Sequence, residues 1–382
     1  MKYNYDEIMQ YVEENDVKFI RLSFCDIFGV PKNISILPSE LKRAFEDGIG
    51  IDASLIDGFG GSDQVVYLRP DKGNLSSLPW RPSHGRVIRL FCDVKKADET
   101  SLPADTRKIL RRMIARDVRS QGLVCNVGSE CEFYLLKLDT DGEPTSVPFD
   151  HATYMDIAPI DRGENIRREI CLDLERMGIY PLASHHELGP GQNEIDFKYS
   201  DAVSAADDLI TYQSVVRTVA NQNGLWASFD PKPLANMPGN GLHINISLTR
   251  DGENIMQGKT LDSFVSGISR RLAEITAFLN PTKESYERLD YYRGGIIIHD
   301  DKGNGRVEVT SPDSKINPYI AFSLLICAGM EGIRDNLSGA NMNPPLPPTL
   351  DDAIGLAQNS AFVKDVLTEE VLDAYLGAVK EK

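Results

Sequence analysis

Glu130 and Glu132 stand two residues apart in the run Gly128-Ser-Glu-Cys-Glu-Phe-Tyr-Leu-Leu136. On a strand such positions project to one face, and Cys131 and Phe133 project to the other, toward a core. Two carboxylates side by side repel, so a cation between them is the chemistry the pair suggests. A solvated strand face would give the same spacing. His185-His-Glu187 followed by Gly189-Pro-Gly-Gln-Asn-Glu194 repeats the theme, because the glycines bracketing a proline bend the chain and set Glu187 and Glu194 at the ends of neighbouring segments. An ordinary polar hairpin is the alternative there. Gly239-Asn-Gly-Leu-His243-Ile-Asn245-Ile-Ser247 is a glycine-rich turn entering an alternating strand, with His243, Asn245 and Ser247 on one face. A lone histidine of this kind also serves as a structural one. Arg306-Val-Glu308-Val-Thr310 is a further alternating strand, and Arg306 can meet phosphate or carboxylate. Together these motifs supply five carboxylates and one imidazole. Hard oxygen ligands with a single nitrogen suit Mg²⁺ or Mn²⁺ better than structural zinc.

The elements that must carry these residues follow from periodicity. Residues 4–15 read as a helix with Tyr5, Ile8, Met9 and Val12 on one stripe. Val17 and Phe19, with Ile20 as a further candidate, begin a strand of period two, Gly29-Val-Pro31 turns, and Ile34 and Ile36 continue. A short helix over 39–47, a Gly58-Phe-Gly-Gly61 loop, and strands at 65–68 and 87–92 complete a small β-rich unit over 1–101. Asp105 or Thr106 can cap a helix over 107–121, which opens a second unit over 102–382. Its strands read as 123–127, 131–138, 193–199, 243–249, 295–299 and 306–310. Its helices read as 163–177, 203–223, 261–279 and 318–336, followed by the proline-rich 343–348 and an acidic helical tail. This mixture indicates an α+β fold and excludes a regular doubly wound sheet.

Composition narrows the partners. The 382 residues carry a net charge of −16, which disfavours nucleic acid and anionic membrane as partners. A negative chain that binds a nucleotide needs cations at the site. The six cysteines form no C-x-x-C pair and read as reduced core thiols of a cytoplasmic protein. Met1–Asn15 is acidic and helical rather than a signal peptide, and the apolar run 321–330 is too short to span a bilayer.

In order along almost the whole chain, these motifs resemble the glutamine synthetases (glutamate–ammonia ligases). The resemblance covers Val17 to Pro31, Asp52-Ala-Ser-Leu-Ile-Asp-Gly58, Leu68-Arg-Pro-Asp71, Gly128-Ser-Glu-Cys-Glu132, His185-His-Glu187 to Glu194, Pro231-Lys-Pro233, Gly241-Leu-His243, and Arg306-x-Glu308 through Ser-Pro-Asp313 to Asn-Pro-Tyr319. It implies a β-grasp-like N-terminal domain and a catalytic domain with a curved antiparallel sheet and flanking helices. It implies ATP as co-substrate and two to three Mg²⁺ or Mn²⁺ ions. Glu132, Glu187 and Glu194 match the ligands of one ion, and Glu130, His243 and Glu308 those of another. Tyr199, Ser247 and Arg306 match nucleotide contacts, Gly239 and Arg288 match the acid-binding positions, and Asp52 and Arg306 match catalytic ones. It also implies a homo-oligomer of stacked rings in which Asp52 serves a neighbouring subunit.

The departures from the family carry information too. Asn245 stands where the family has a second histidine, Thr310 where it has an arginine, and the segment from Arg288 to Arg306 is short. That segment carries a loop glutamate and substrate-gripping arginines in the family. A lost guanidinium–carboxylate contact costs about 1.5–3 kcal/mol. The expected function is therefore an ATP-dependent ligase joining glutamate, or a related acid, to ammonia or an amine through an acyl phosphate. The alternatives are a silent or regulatory homologue and a phosphotransferase.

Overall fold

The first helix of the computed structural model, α1 (Tyr5–Glu14), starts at a reciprocal cap. Asn4 accepts the Glu7 amide, and the Glu7 carboxylate accepts the Asn4 amide. The structure describes residues 4–60, 64–81, 84–291, 294–300 and 303–381. The expected loop at 58–61 ends outside these residues at Gly61, and so do Met1 to Tyr3 of the N-terminal segment.

Ile8 and Val12 turn the apolar stripe of α1 into a shared core. That core also takes side chains from β1 (Val17–Cys25), β2 (Pro31–Ile36), α2 (Leu41–Glu46), β3 (Ile49–Asp52), β4 (Val65–Ser77) and β5 (Arg86–Lys95). The five strands form one mixed sheet in the order β2-β1-β5-β4-β3, with β1 and β5 parallel. Phe19 does not follow Val17 into the core as strict alternation expects. A register shift between them in the β1–β5 pairing leaves Phe19 48% exposed and buries Ile20. This first compact unit takes in Met1–Ile109 and Glu175–Gly178.

Asp105 caps α3 (Thr106–Met113) by accepting the Lys108 amide, and it accepts the Val94 amide as well. The expected helix over 107–121 is real in extent but changes pitch, through a π-turn at Ile114–Val118 and a 3-10 turn at Arg119–Gln121.

The second unit, Leu110–Leu174 with Ile179–Lys382, is built on a ten-stranded antiparallel sheet. Its centre is β6 (Val124–Leu138), one strand where sequence periodicity suggested two. Gly128 carries it through the gap, since a Cβ there would come within 3.0 Å of the Tyr199 ring. β7 (Pro144–Pro148), α4 (Glu164–Arg176), β8 (Pro181–His186), β9 (Gln192–Phe197), β10 (Ser200–Asp201), α5 (Ala202–Gln222) and β11 (Leu225–Ser228) follow. Then come β12 (Leu242–Arg250), β13 (Glu253–Asn254), α6 (Gly258–Leu279), α7 (Lys283–Tyr291), β14 (Ile296–His299), β15 (Arg306–Val309) and α8 (Pro318–Arg334). The acidic tail is three helices, α9 (Leu350–Asn359), α10 (Ala361–Leu367) and α11 (Glu369–Glu381). The sheet runs β14-β15-β12-β6-β9-β8. The edge strand β8 carries too few apolar residues for periodicity to find it. All six cysteines are free thiols, five of them buried.

α6 and α8 approach backbone to backbone. A Cβ on Gly332 would meet the Ser263 carbonyl at 2.0 Å and Gly267 Cα at 2.8 Å. Gly332→Val is expected to destabilise the second unit by about 1–3 kcal/mol, read as a lower urea midpoint; an unchanged midpoint would contradict this packing. In the first unit, burial and then the Asp93 charge push the Asp105 carboxyl from 3.8 up to about 6. An acid whose folded value is raised binds its proton more tightly when folded, so its contribution weakens as pH rises from about 4 to about 6. Asp105→Asn is expected to flatten that part of the stability–pH curve. A curve with the native slope would remove Asp105 as its cause.

Candidate active site

β6 buries Cys131 and Phe133 on one face and turns Glu130 and Glu132 to the other. Strand register then supplies their neighbours. His243 on β12 lies opposite Glu130 on one side, and Asp196 on β9 lies opposite it on the other. Two residues along, Glu194 pairs with Glu132, and His185 on β8 pairs with Glu194. Two rows therefore cross the sheet, His243–Glu130–Asp196 and Glu132–Glu194–His185. Glu308 joins them from β15, where it pairs with Asn245. Strands about 4.8 Å apart bring such side chains within reach of a common ion.

Possible ligand atoms of Glu130, His243 and Glu308 lie within 4.8 Å of one another. His243 Nδ1 sits 3.3 Å from Glu130 Oε2 and 3.1 Å from Glu308 Oε1, so one ring nitrogen faces two carboxylates. Asn245 Nδ2 donates to Glu130 Oε1 at 2.9 Å, and Arg306 Nε donates to Asn245 Oδ1 at 3.0 Å. A second group joins His185, Glu187 and Glu194, and a third joins Glu130, Glu194 and Asp196, within the same limit. Glu132 stands across from Glu194, but its Oε2 accepts Gln192 Nε2 and the Gly241 amide, each at 2.8 Å. Thus one expected ligand set, Glu130 with His243 and Glu308, is gathered directly. In the other, Glu187 and Glu194 meet His185, while Glu132 is tied to the Gly239–Gly241 turn.

The electrostatics match this crowding. Burial raises the Glu194 carboxyl far above the usual carboxylate range, and the charges of Glu132 and Asp196 raise it further. Burial also raises Glu132, against the lowering effect of the Gly241 amide. Asp196 Oδ1 is buried with no hydrogen-bond partner. Repelling carboxylates and an orphaned oxygen fit a divalent cation.

Beside these rows is a cavity of about 440 Å³ lined by Gly128, Glu130, Tyr199, Asn245, Ser247 and Arg306, among others. All three expected nucleotide contacts, Tyr199, Ser247 and Arg306, line it. Gly239 belongs to a tight turn in which a Cβ would come 2.3 Å from the Pro231 carbonyl, and its own carbonyl accepts Gln192 Nε2 at 3.1 Å.

The sequence of the catalytic unit, residues 103–382, matches the family "Glutamine synthetase, catalytic domain", and residues 16–97 match "Glutamine synthetase, beta-Grasp domain". The glutamine synthetase of Clostridium saccharobutylicum is 41% identical over 416 aligned positions, covering 98% of this chain and 94% of that one. This chain belongs to the glutamine synthetase family. The glutamine synthetase of Methanosarcina mazei is 36% identical, with 98% and 92% covered. A solved structure of ligand-free GmaS superposes with a TM-score of 0.89 at 26% identity, covering 98% of this chain and 94% of that one. The Plasmodium falciparum glutamine synthetase shares the fold, with a TM-score of 0.90 at 21% identity and 100% and 96% covered. Family membership makes this an ATP-dependent ligase of the glutamate–ammonia ligase type, in a family that uses divalent metal. Its α+β fold is the family's, β-grasp first and catalytic sheet second. Among the described residues, no helix is long and apolar enough to cross a membrane.

The 416 aligned positions exceed the 382 residues of this chain, so the Clostridium relative carries residues for which this chain has no counterpart. Arg288, expected to bind the acid, is 3% exposed. It packs under Gly239 and donates from Nη2 to Asn280 Oδ1 and the Ser311 carbonyl. Thr310 uses its hydroxyl to accept the Gly295 amide at 2.7 Å, which ties the start of β14 to the end of β15. Asp52 is exposed in the first unit and caps the turn Ala53–Leu55 through the Ser54 amide and hydroxyl.

Four site residues escaped assignment from sequence: His185, Gln192, Asp196 and His299. Asp196 was reachable, since it stands two residues beyond Glu194 on an alternating strand, the same signal that singled out Glu130 and Glu132. His185 was visible in its motif without a role. Gln192 and His299 reach carboxylates through pairing that no local spacing encodes. Thr310→Val is expected to speed amide exchange at Gly295 and in β14, because a buried amide without its acceptor costs about 1–3 kcal/mol; unchanged exchange would show that the closure does not depend on Thr310.

Proposed function

We propose that the carboxylate rows and the adjoining cavity form the catalytic centre of an ATP-dependent ligase joining glutamate, or a related carboxylic acid, to ammonia or an amine. The observation that carries this is the register of five like-charged side chains, Glu130, Glu132, Glu194, Asp196 and Glu308, on one sheet face beside a nucleotide-sized cavity. Glu130, His243 and Glu308 would hold one ion, and Glu187 and Glu194 another, with Glu132 joining them. Mg²⁺ or Mn²⁺, two to three ions in all, suits this oxygen-rich set. Ions held there would supply charge neutralisation for the phosphates of ATP.

This chain's residues do the remainder. Tyr199, Ser247 and Arg306 seat the nucleotide so that its phosphates point toward Glu130. Arg306, braced by Asn245, supplies positive charge where the acid's carboxylate oxygen attacks the γ-phosphorus of ATP and ADP leaves. The resulting acyl phosphate loses phosphate when the amine attacks its carbonyl carbon, and Asp52 of a neighbouring subunit takes the amine's proton. Gln192 keeps Glu132 and the Gly239 turn in a fixed relation, which shapes the acid side of the pocket. With Arg288 turned inward and Thr310 occupied, the acid is held by other contacts than the family's arginine grip. Assembly into stacked rings, a cytoplasmic location and a domain division near residue 101 follow the family pattern in this reading. The net charge of −16 argues against nucleic acid and membrane surfaces as partners.

Phosphate release from ATP with Mg²⁺ is expected to require both an acid and an amine, tested first with glutamate and ammonia and then with panels of each. Glu132→Ala is expected to lower that rate by more than about a hundredfold, beyond what loss of an outer support to a metal ligand causes. Release with ATP and acid alone, as a stable phosphorylated product, would replace the ligase with a phosphotransferase. No release with any pair would leave a nucleotide-binding homologue without turnover.

A further inference from the structure

Glu308 is held from both flanking strands. His243 on β12 meets its Oε1 at 3.1 Å, and His299 on β14 meets its Oε2 through Nε2 at 2.5 Å. The Glu308 side chain is 8% exposed and that of His299 28%, so the imidazole is the more exposed partner of a buried carboxylate. β14 is fixed where it delivers this ring. His299 pairs with Arg306, Ile297 pairs with Glu308, and the strand's entry is pinned by the Thr310–Gly295 contact and by the Ile296 amide on the Met342 carbonyl at 2.9 Å. Gly294 turns into it with φ +63, where a Cβ would come 2.6 Å from Ser311 Cα. His299 therefore comes from the same short segment that Thr310 closes.

We propose that His299 is a positioning residue that occupies the outer oxygen of Glu308 and leaves one oxygen, Oε1, for the metal. This rests on the cation position assigned above to Glu130, His243 and Glu308. When an ion takes the place of the His243–Glu308 contact, the His299 contact on Oε2 remains. A carboxylate held by one oxygen suits ions that demand octahedral geometry. Ca²⁺ takes six to eight oxygens and readily accepts both oxygens of one carboxylate. His299 thus sets Glu308 against Ca²⁺ and in favour of an octahedral ion such as Mn²⁺.

Calorimetric titration of Mn²⁺ and of Ca²⁺ into the intact protein, without substrates, tests this. His299→Ala is expected to weaken Mn²⁺ at this position by about tenfold or more, the usual scale for losing an outer support. Ca²⁺ is expected to weaken less or to tighten, so the Mn²⁺-over-Ca²⁺ preference falls. His299→Gln, whose amide can still donate to Oε2, is expected to restore much of the preference and covers the case in which the alanine variant folds poorly. Glu308→Ala separates the two levels of the argument. If it leaves Mn²⁺ binding intact, the cation position itself is wrong and both readings fall. If it removes one Mn²⁺ while both His299 variants keep the native preference within twofold, the cation position stands and the role of His299 is overturned. Equal weakening of both ions in His299→Ala would make the residue merely structural and would also overturn the proposal.

Discussion

Glu132 and Glu194 face each other across β6 and β9, with Asp196 and Glu130 forming the next pair along. Like charges at that spacing, largely out of water, are unfavourable unless protons or cations lie between them. The rest of the catalytic unit is arranged around that constraint. The opposite face of β6 is filled by Cys131 and Phe133, so the strand cannot turn its carboxylates elsewhere without exposing core. Gln192, the Gly241 amide and Asn245 each hold one carboxylate oxygen in place. A sheet with fixed register gives what a loop would not, a charge cluster whose geometry is set by strand pairing.

The β-rich first unit, the long helices and the alternating strands were legible because their apolar spacing is local. Glu130, Glu132, His243 and Glu308 were legible for the same reason, each standing on an alternating strand beside buried partners. Register was not legible. Nothing local says that Glu194 meets Glu132 rather than a residue two positions away, or that Asp196 joins the row. The edge strand β8 escaped because its residues are mostly exposed and lack the alternation of a half-buried strand. Phe19 misled because a bulge changes facing without changing composition. The Glu132 assignment shows the gap most clearly. Likeness of sequence set it with Glu187 and Glu194, whereas side-chain geometry ties it to Gln192 and the glycine turn.

The segment between α7 and β15 is held by contacts at both of its ends. Gly294, Gly295 and the Thr310 hydroxyl bring the start of β14 and the end of β15 close together. The Thr310 hydroxyl both accepts the Gly295 amide and donates to the Gly295 carbonyl, a two-sided contact that a guanidinium, which only donates, could not make. Arg288 serves the interior, bracing the Gly239 turn and the Ser311 carbonyl.

The central claim is that the two carboxylate groups are cation positions beside a nucleotide cavity. Crystals grown with Mn²⁺ and ADP, measured at the manganese absorption edge, test it most directly. The account predicts one anomalous peak among Glu130, His243 and Glu308, a second at Glu187 and Glu194, and ADP over Tyr199, Ser247 and Arg306. Bound ADP without manganese at either carboxylate group, or manganese held elsewhere on the chain, would contradict it.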